Sequence, residues 1–125
     1  MLKSNEQNTS DTLSYTIVEG MKNLKAKEIV CLNLTDIESS VCDFFVICHG
    51  TSDTHVSAIS ESIIKETLQT FKEKPWHKEG LTNGNWVLLD YGNVVAHIFQ
   101  KETRTYYNLE KLWGDAKIQH IKESA

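Results

Sequence analysis

The residues of this chain that could support chemistry gather around the loop Gly50-Thr51-Ser52, which precedes a helical pattern. A glycine and a hydroxyl residue between a strand and a helix can present backbone N–H groups to phosphate, as in nucleotidyltransferases. Such an enzyme also needs closely spaced carboxylates to hold two magnesium ions. Asp43 and Asp90 each stand alone on their predicted strands, and no P-loop or dinucleotide-binding glycine motif is present. The loop is therefore interpreted as the start of a helix, with Ser52 as its N-cap.

Histidine, serine and cysteine patterns indicate no other reactive site. His49 and His55 flank the same loop with Asp53 between them, but a metal ion would need a further ligand such as His97 or Asp90. The spacing does not require one. No G-x-S-x-G motif surrounds a serine, and no cysteine lies in a recognisable nucleophile setting. The sequence thus predicts no catalytic residue, no metal and no cofactor.

The apolar periodicity predicts an α/β (α+β) domain with a mixed sheet of about five strands and packed helices. The predicted elements are a helix that starts at Ser10 or Asp11 and carries an apolar stripe to Leu24, strands over 28–34 and 43–48, a helix over 53–71, a short strand over 74–78, a hairpin over 86–99 and a helix over 105–113. Residues 1–9 are expected to form a disordered leader, residues 10–114 a single domain, and residues 115–125 a C-terminal tail.

The hairpin over residues 86–99 is the clearest of these elements, because two apolar runs flank the break Gly92-Asn93. Pairing across that loop matches Tyr91 with Val94, Leu89 with Ala96 and Val87 with Ile98, and this face should meet the core. Side chains alternate along a strand, so the other face carries Trp86, Leu88, Asp90, Val95, His97 and Phe99. That face is too apolar for water and too polar for an ordinary core. Either a helix of the same chain or another molecule must cover it.

Aromatic residues concentrate in the last third of the chain, interleaved with charged residues. Trp, Tyr and Arg are the residue types that most often anchor protein interfaces. Trp86 shares its strand face with Asp90 and His97, which makes it the best interface candidate. Ordinary core packing is the alternative, and it is the better interpretation of Trp113.

Composition narrows the classes of partner. The 125 residues are enough for one domain, and the net charge of -4 comes without a cluster of Lys or Arg. Direct nucleic-acid recognition is therefore disfavoured, and a basic protein partner fits the charge better. Three cysteines without C-x-x-C spacing indicate reduced, buried thiols. With no signal sequence and no apolar run long enough for a membrane span, we expect a cytoplasmic protein.

Several motifs together resemble the ribosomal silencing factor family, also called the Iojap-related family. They occur in order over residues 10–114, and lie at 43–48, 50–52, 55–56, 79–80, 86–99 and 104–113. The resemblance implies a non-enzymatic translation repressor that binds the large ribosomal subunit through ribosomal protein uL14 and blocks joining of the small subunit. It also implies a fold similar to the nucleotidyltransferase core without its catalytic carboxylates, and members often form homodimers.

The partner-facing residues of the family lie on the hairpin. They carry over to Trp86, Asp90 and Tyr91, and with a weaker match to Leu88 and His97. Tyr91 conflicts with the strand alternation, which places it toward the core.

Two other functions remain open from the residues alone. One is a magnesium-dependent nucleotidyltransferase-like enzyme that uses Ser52 and scattered acids. The other is a structural homodimer in which the hairpin face forms the seam between subunits.

Overall fold

The chain forms a six-stranded mixed sheet with helices on both faces, and the computed structural model describes residues 2–123, with side chains from residue 10 onward. The strand order is β3-β4-β5-β2-β1-β6. The helices are α1 (Leu2–Asn23), α2 (Asp53–Phe71), α3 (Lys101–Tyr107) and α4 (Leu109–Leu112). The strands are β1 (Lys27–Asn33), β2 (Phe44–Gly50), β3 (His77–Glu79), β4 (Trp86–Asp90), β5 (Val94–Gln100) and β6 (Lys117–His120). The predicted fold class is confirmed.

The hairpin β4–β5 has the register that the sequence predicts, with Val87 opposite Ile98 and Leu89 opposite Ala96. Gly92 adopts φ +87 in its turn, a conformation that glycine enters without the steric penalty of a Cβ atom. Strand β2 pairs with β5 in parallel, while the other pairs are antiparallel. Both β2 and β5 are buried along almost their whole length, as expected for central strands with covered faces.

One side of the sheet, here called the helix face, packs against α1 and α2. Val87 and Leu89 of β4 lie on it and are fully buried. The two helices approach each other closely at Gly20, where an added Cβ would lie 2.8 Å from the Cα of Ile63. A larger residue at this position would push the helices apart, so Gly20 permits the contact that closes this core.

The opposite side, here called the second face, is covered by the C-terminal helices and the connection between β1 and β2. Phe45 lies at its centre and meets the Trp113 ring edge-on at 5.7 Å. Leu109 of α4 and Leu34 and Cys42 of the connection complete this smaller core. The same chain therefore covers the second face over β1, β2 and β5, and leaves β4 half-exposed.

A buried arginine fixes α3 and α4 against the sheet. The Nη2 atom of Arg104 lies 3.0 Å from Oε2 of Glu110, and its Nη1 atom donates to Nδ1 of His49 at 3.0 Å. Arginine keeps its charge in proteins, so burial requires such partners. Burial, followed by the charge of Arg104, lowers the pKa of His49, which keeps its ring neutral and able to accept.

The chain termini differ from expectation. Helix α1 begins at Leu2, so it runs through residues where the sequence predicts a disordered leader. The expected tail contains β6, which pairs antiparallel with β1 and places Ile118 opposite Leu32. An edge strand otherwise leaves a row of N–H and C=O groups unpaired, and β6 satisfies those of β1.

Two internal elements also differ. The single helix predicted over 105–113 is two helices that meet at Asn108, which has φ 46 and ends α3. Strand β3 starts three residues later than predicted, because Pro75 lacks an N–H for the sheet. None of the helices within residues 2–123 combines the length and apolar character that crossing a bilayer requires.

Candidate functional site

Strand β4 separates its side chains cleanly between the two faces. Val87 and Leu89 are buried on the helix face, whereas Trp86, Leu88 and Asp90 are half-buried on the second face. This alternation follows from the period of two along a strand. Three of the predicted partner-binding residues are therefore brought together on one partly open surface, which we call the β4 surface.

The Trp86 indole is held from several sides. It stacks on Phe99 with ring centroids 4.9 Å apart and meets Tyr107 of α3 at 4.8 Å. Its Nε1–H donates to Nδ1 of His97 at 3.1 Å. A side chain fixed in this way loses little rotamer freedom on binding, which favours affinity.

His97 lies beneath this surface, and only 4% of the residue is exposed. Its contact with a partner stays a prediction, and the structure shows His97 supporting the Trp86 indole. Burial lowers its pKa to about 4, so the ring is neutral at neutral pH. Because Nδ1 accepts from Trp86, the proton lies on Nε2, and that buried atom has no hydrogen-bond partner among the described residues.

Tyr91 belongs to the core. It is 5% exposed, and its hydroxyl lies 2.9 Å from Oγ1 of Thr67 on α2. Burial, as the largest cause, raises the pKa of the Tyr91 phenol. The strand alternation placed this residue correctly toward the core, and its contact with a partner stays a prediction.

Asp90 and Leu88 remain on the β4 surface, each with a second contact. Oδ1 of Asp90 accepts the N–H of Gly92 at 2.7 Å and so stabilises the hairpin turn. Leu88 packs at the margin of the second-face core. Both residues thus combine a structural contact with partial exposure.

Trp76 is an exposed aromatic residue that the sequence reasoning missed. It is 82% exposed, and its six-membered ring lies against Gly92, where an added Cβ would come within 2.9 Å of Cη2. Its backbone N–H donates to the Asp90 carbonyl at 2.7 Å. The signal available in the sequence was a lone tryptophan after Pro75 in a polar segment, which periodicity does not detect.

The loop before α2 is engaged within the protein. Ser52 caps the helix as predicted, because its Oγ accepts the His55 N–H at 3.0 Å. Nδ1 of His55 accepts the Thr51 N–H at 2.9 Å, and its Nε2 lies 2.7 Å from the Leu24 carbonyl. The amide of Thr51 is therefore already bonded and is not aimed at an open phosphate site.

Asp43 and the three cysteines are bonded or at least partly buried within the protein. Asp43 accepts a hydrogen bond from Ser10 at 2.8 Å. Within the described residues no three His, Cys, Asp or Glu side chains come close enough to share a metal ion. Burial is the main cause that raises the pKa of Cys31 to about 11 and those of Cys42 and Cys48 to about 12, so all three stay as thiols.

Comparisons with known proteins identify relatives over nearly the whole length. The family model described as "Ribosomal silencing factor during starvation" matches residues 7–125. Ribosomal silencing factor RsfS of Halalkalibacterium halodurans is 46% identical over 114 residues, which are 91% of this chain and 96% of that protein. The protein of the same name from Bacillus subtilis is 46% identical over 97 residues, 78% of this chain and 80% of its own.

A solved structure agrees with these relatives. The crystal structure of a protein from Chromobacterium violaceum superposes with a TM-score of 0.78 at 28% identity, and the match covers 92% of this chain and 94% of that one. The fold and the sequence motifs thus point to the same group of proteins. The chain belongs to the ribosomal silencing factor family.

Proposed function

We propose that this protein represses translation by binding the large ribosomal subunit through ribosomal protein uL14, which keeps the small subunit from joining. Membership of the ribosomal silencing factor family implies ribosome-associated regulation of translation. The choice of uL14 and the steric mechanism rest on the family resemblance together with the β4 surface. We place this action in the cytoplasm.

The observation that carries the proposal is the fixed, partly exposed indole of Trp86. Phe99, Tyr107 and His97 hold it at the margin of the core, where a partner can cover the exposed part. Interfaces gain most of their affinity from a few such aromatic anchors. Steric blocking needs no catalytic group, because a bound domain obstructs docking by its bulk alone.

The charge of the protein supports a protein partner over bare RNA. A net charge of -4 attracts a basic ribosomal protein and is repelled by phosphate backbone. Charge complementarity mainly speeds association and selects the partner. We therefore expect the contact on the large subunit to be made with protein, and propose no direct nucleic-acid specificity.

The test is co-sedimentation of purified Trp86→Ala with isolated large subunits, small subunits and joined ribosomes. Loss of a central aromatic anchor typically weakens binding by about 30-fold, which corresponds to about 2 kcal/mol. Tyr15→Ala is the matched control, because Tyr15 is an exposed aromatic residue on α1, across the sheet. If a folded Trp86→Ala variant sediments with large subunits as the wild type does, the β4 surface is not the binding surface.

Two further measurements separate the other functions. A calorimetric titration with Mg-ATP tests the alternative of a nucleotidyltransferase-like enzyme. We expect no heat of binding, because the Thr51 amide is already bonded to His55.

Sedimentation velocity of wild type and Trp86→Ala tests whether the β4 surface is a homodimer seam. If the seam lies there, the variant becomes a monomer even without ribosomes.

A further inference from the structure

A pocket adjoins the β4 surface, between α3 and the connection from β3 to β4. It is a shallow pocket of about 530 Å³ that is open to solvent. Its lining includes three aromatic rings, two amide side chains and one carboxylate, from Trp86, Tyr106, Tyr107, Asn83, Asn85 and Glu102. We call it the aromatic pocket.

The three rings form one continuous aromatic wall. Tyr107 meets Trp86 at 4.8 Å, and Tyr106 meets Tyr107 edge-on at 5.0 Å. Tyr106 is 82% exposed and Tyr107 is 50% exposed. Large aromatic side chains exposed side by side are typical of interaction sites and not of an ordinary protein surface.

The polarity of the pocket selects a positively charged occupant. Glu102 is the only Asp, Glu, Lys, Arg or His among the described residues that line it. Lys101 does not line the aromatic pocket, whereas Glu102 lines both this pocket and the adjoining one beside Lys101 and His49. The face of an aromatic ring attracts cations, and a carboxylate at the rim adds to that attraction.

We propose that the aromatic pocket receives an arginine or lysine side chain of the protein partner that covers Trp86. This inference rests on the proposed function, and it adds the chemical group that the partner must present beside the tryptophan. The pocket shares Trp86 with the β4 surface, so one partner can occupy both. A basic ribosomal protein offers such side chains, and the net charge of -4 suits it.

Two substitutions isolate the two attractive features. Glu102→Gln removes the charge and keeps the size, while Tyr106→Leu keeps apolar surface and removes the aromatic face. Both residues are exposed, so the fold tolerates the changes. Glu61→Gln is the charge control, because Glu61 is exposed on α2, across the sheet. Each variant is titrated against purified uL14 and purified large subunits at low and moderate salt.

We expect each pocket variant to weaken binding by roughly fivefold or more, since cation–π and carboxylate contacts at interfaces have this magnitude. Glu102→Gln should also reduce the salt dependence of association, while Glu61→Gln binds as the wild type does. Wild-type affinity in both pocket variants would overturn the pocket and leave the proposed function intact. A wild-type protein that binds neither uL14 nor large subunits would overturn both.

Discussion

The two faces of the sheet differ in how completely the helices cover them, and strand β4 contributes side chains to both faces. On the helix face, Val87 and Leu89 are sealed beneath α1 and α2. On the second face, Trp86 and Leu88 stay partly exposed, because α3 and α4 cover mainly the centre of the sheet and α3 meets β4 at the ring of Tyr107. The helix face therefore supplies stability, and the uncovered part of the second face is the surface that we propose for binding.

Because of this difference, substitutions at neighbouring residues of β4 test two separate properties, stability and binding. Adjacent side chains point to opposite sides of a sheet. A substitution that faces the helices should change the free energy of unfolding, and one on the β4 surface should change binding.

The largest expected effect compares Leu89→Ala with Leu88→Ala. Leu89 is fully buried, so its truncation should lower the free energy of unfolding by about 3 kcal/mol through lost burial and a residual cavity. Leu88 is only partly buried, and its truncation should cost less, about 1.5 kcal/mol. Urea unfolding measures both. Similar losses of stability in the two variants would contradict the division between the faces.

Low pH should reduce the free energy of unfolding, because His97 is buried as a neutral ring on the second face. Burial lowers its pKa from 6.5 to about 4, so the unfolded chain takes up the proton first as the pH falls. The contribution to stability is complete above about pH 6.5 and is lost between pH 6.5 and 4, approaching about 3 kcal/mol. The measurement is urea unfolding at a series of pH values.

The matched variant for this titration is His97→Phe, which removes the ionisable ring and the unpartnered Nε2–H. Its stability should fall less steeply with acid than that of the wild type. His49 stays in both proteins, and its lowered pKa acts in the same direction. Identical slopes would show that His97 does not carry the effect.

Glu110→Gln tests whether the ion pair between Glu110 and Arg104 stabilises the packing of α3 and α4 on the second face. The substitution leaves the buried guanidinium of Arg104 without its counter-charge. Because Glu110 is partly solvated, we expect the free energy of unfolding to fall by about 2 kcal/mol, less than for a fully buried pair. Thermal unfolding compares it with Glu61→Gln, which should behave as the wild type. Equal stability of the two variants would show that the Arg104–Glu110 ion pair does not stabilise the packing of α3 and α4.

Thr67→Val should have the smallest effect and probes the helix face at the hairpin end. It removes the hydroxyl 2.9 Å from the Tyr91 phenol and keeps the side-chain volume. We expect a loss of about 1 kcal/mol, because the phenol then lacks its buried partner. In a double-mutant cycle with Tyr91→Phe the two losses should not add. Additive losses would mean that the two hydroxyls contribute independently.

Local patterns were sufficient for much of this fold. The limits of α2, its Ser52 cap and the register of the hairpin all depend on residues close together in the sequence, and each was predicted correctly. The β4 surface was partly predicted for the same reason, since alternation placed Trp86, Leu88 and Asp90 on one side.

Tertiary structure decided what alternation cannot, namely which parts of the second face are covered. His97 is on the correct strand face, yet Phe45, Trp86 and Phe99 surround it, so it supports the indole from below. Strand β6 forms because β1 offers it an unpaired edge. The aromatic pocket brings residues 83–86 together with residues 102–107. Sequence periodicity reports which way a side chain points, whereas burial depends on contacts between distant segments, and only the folded chain sets those contacts.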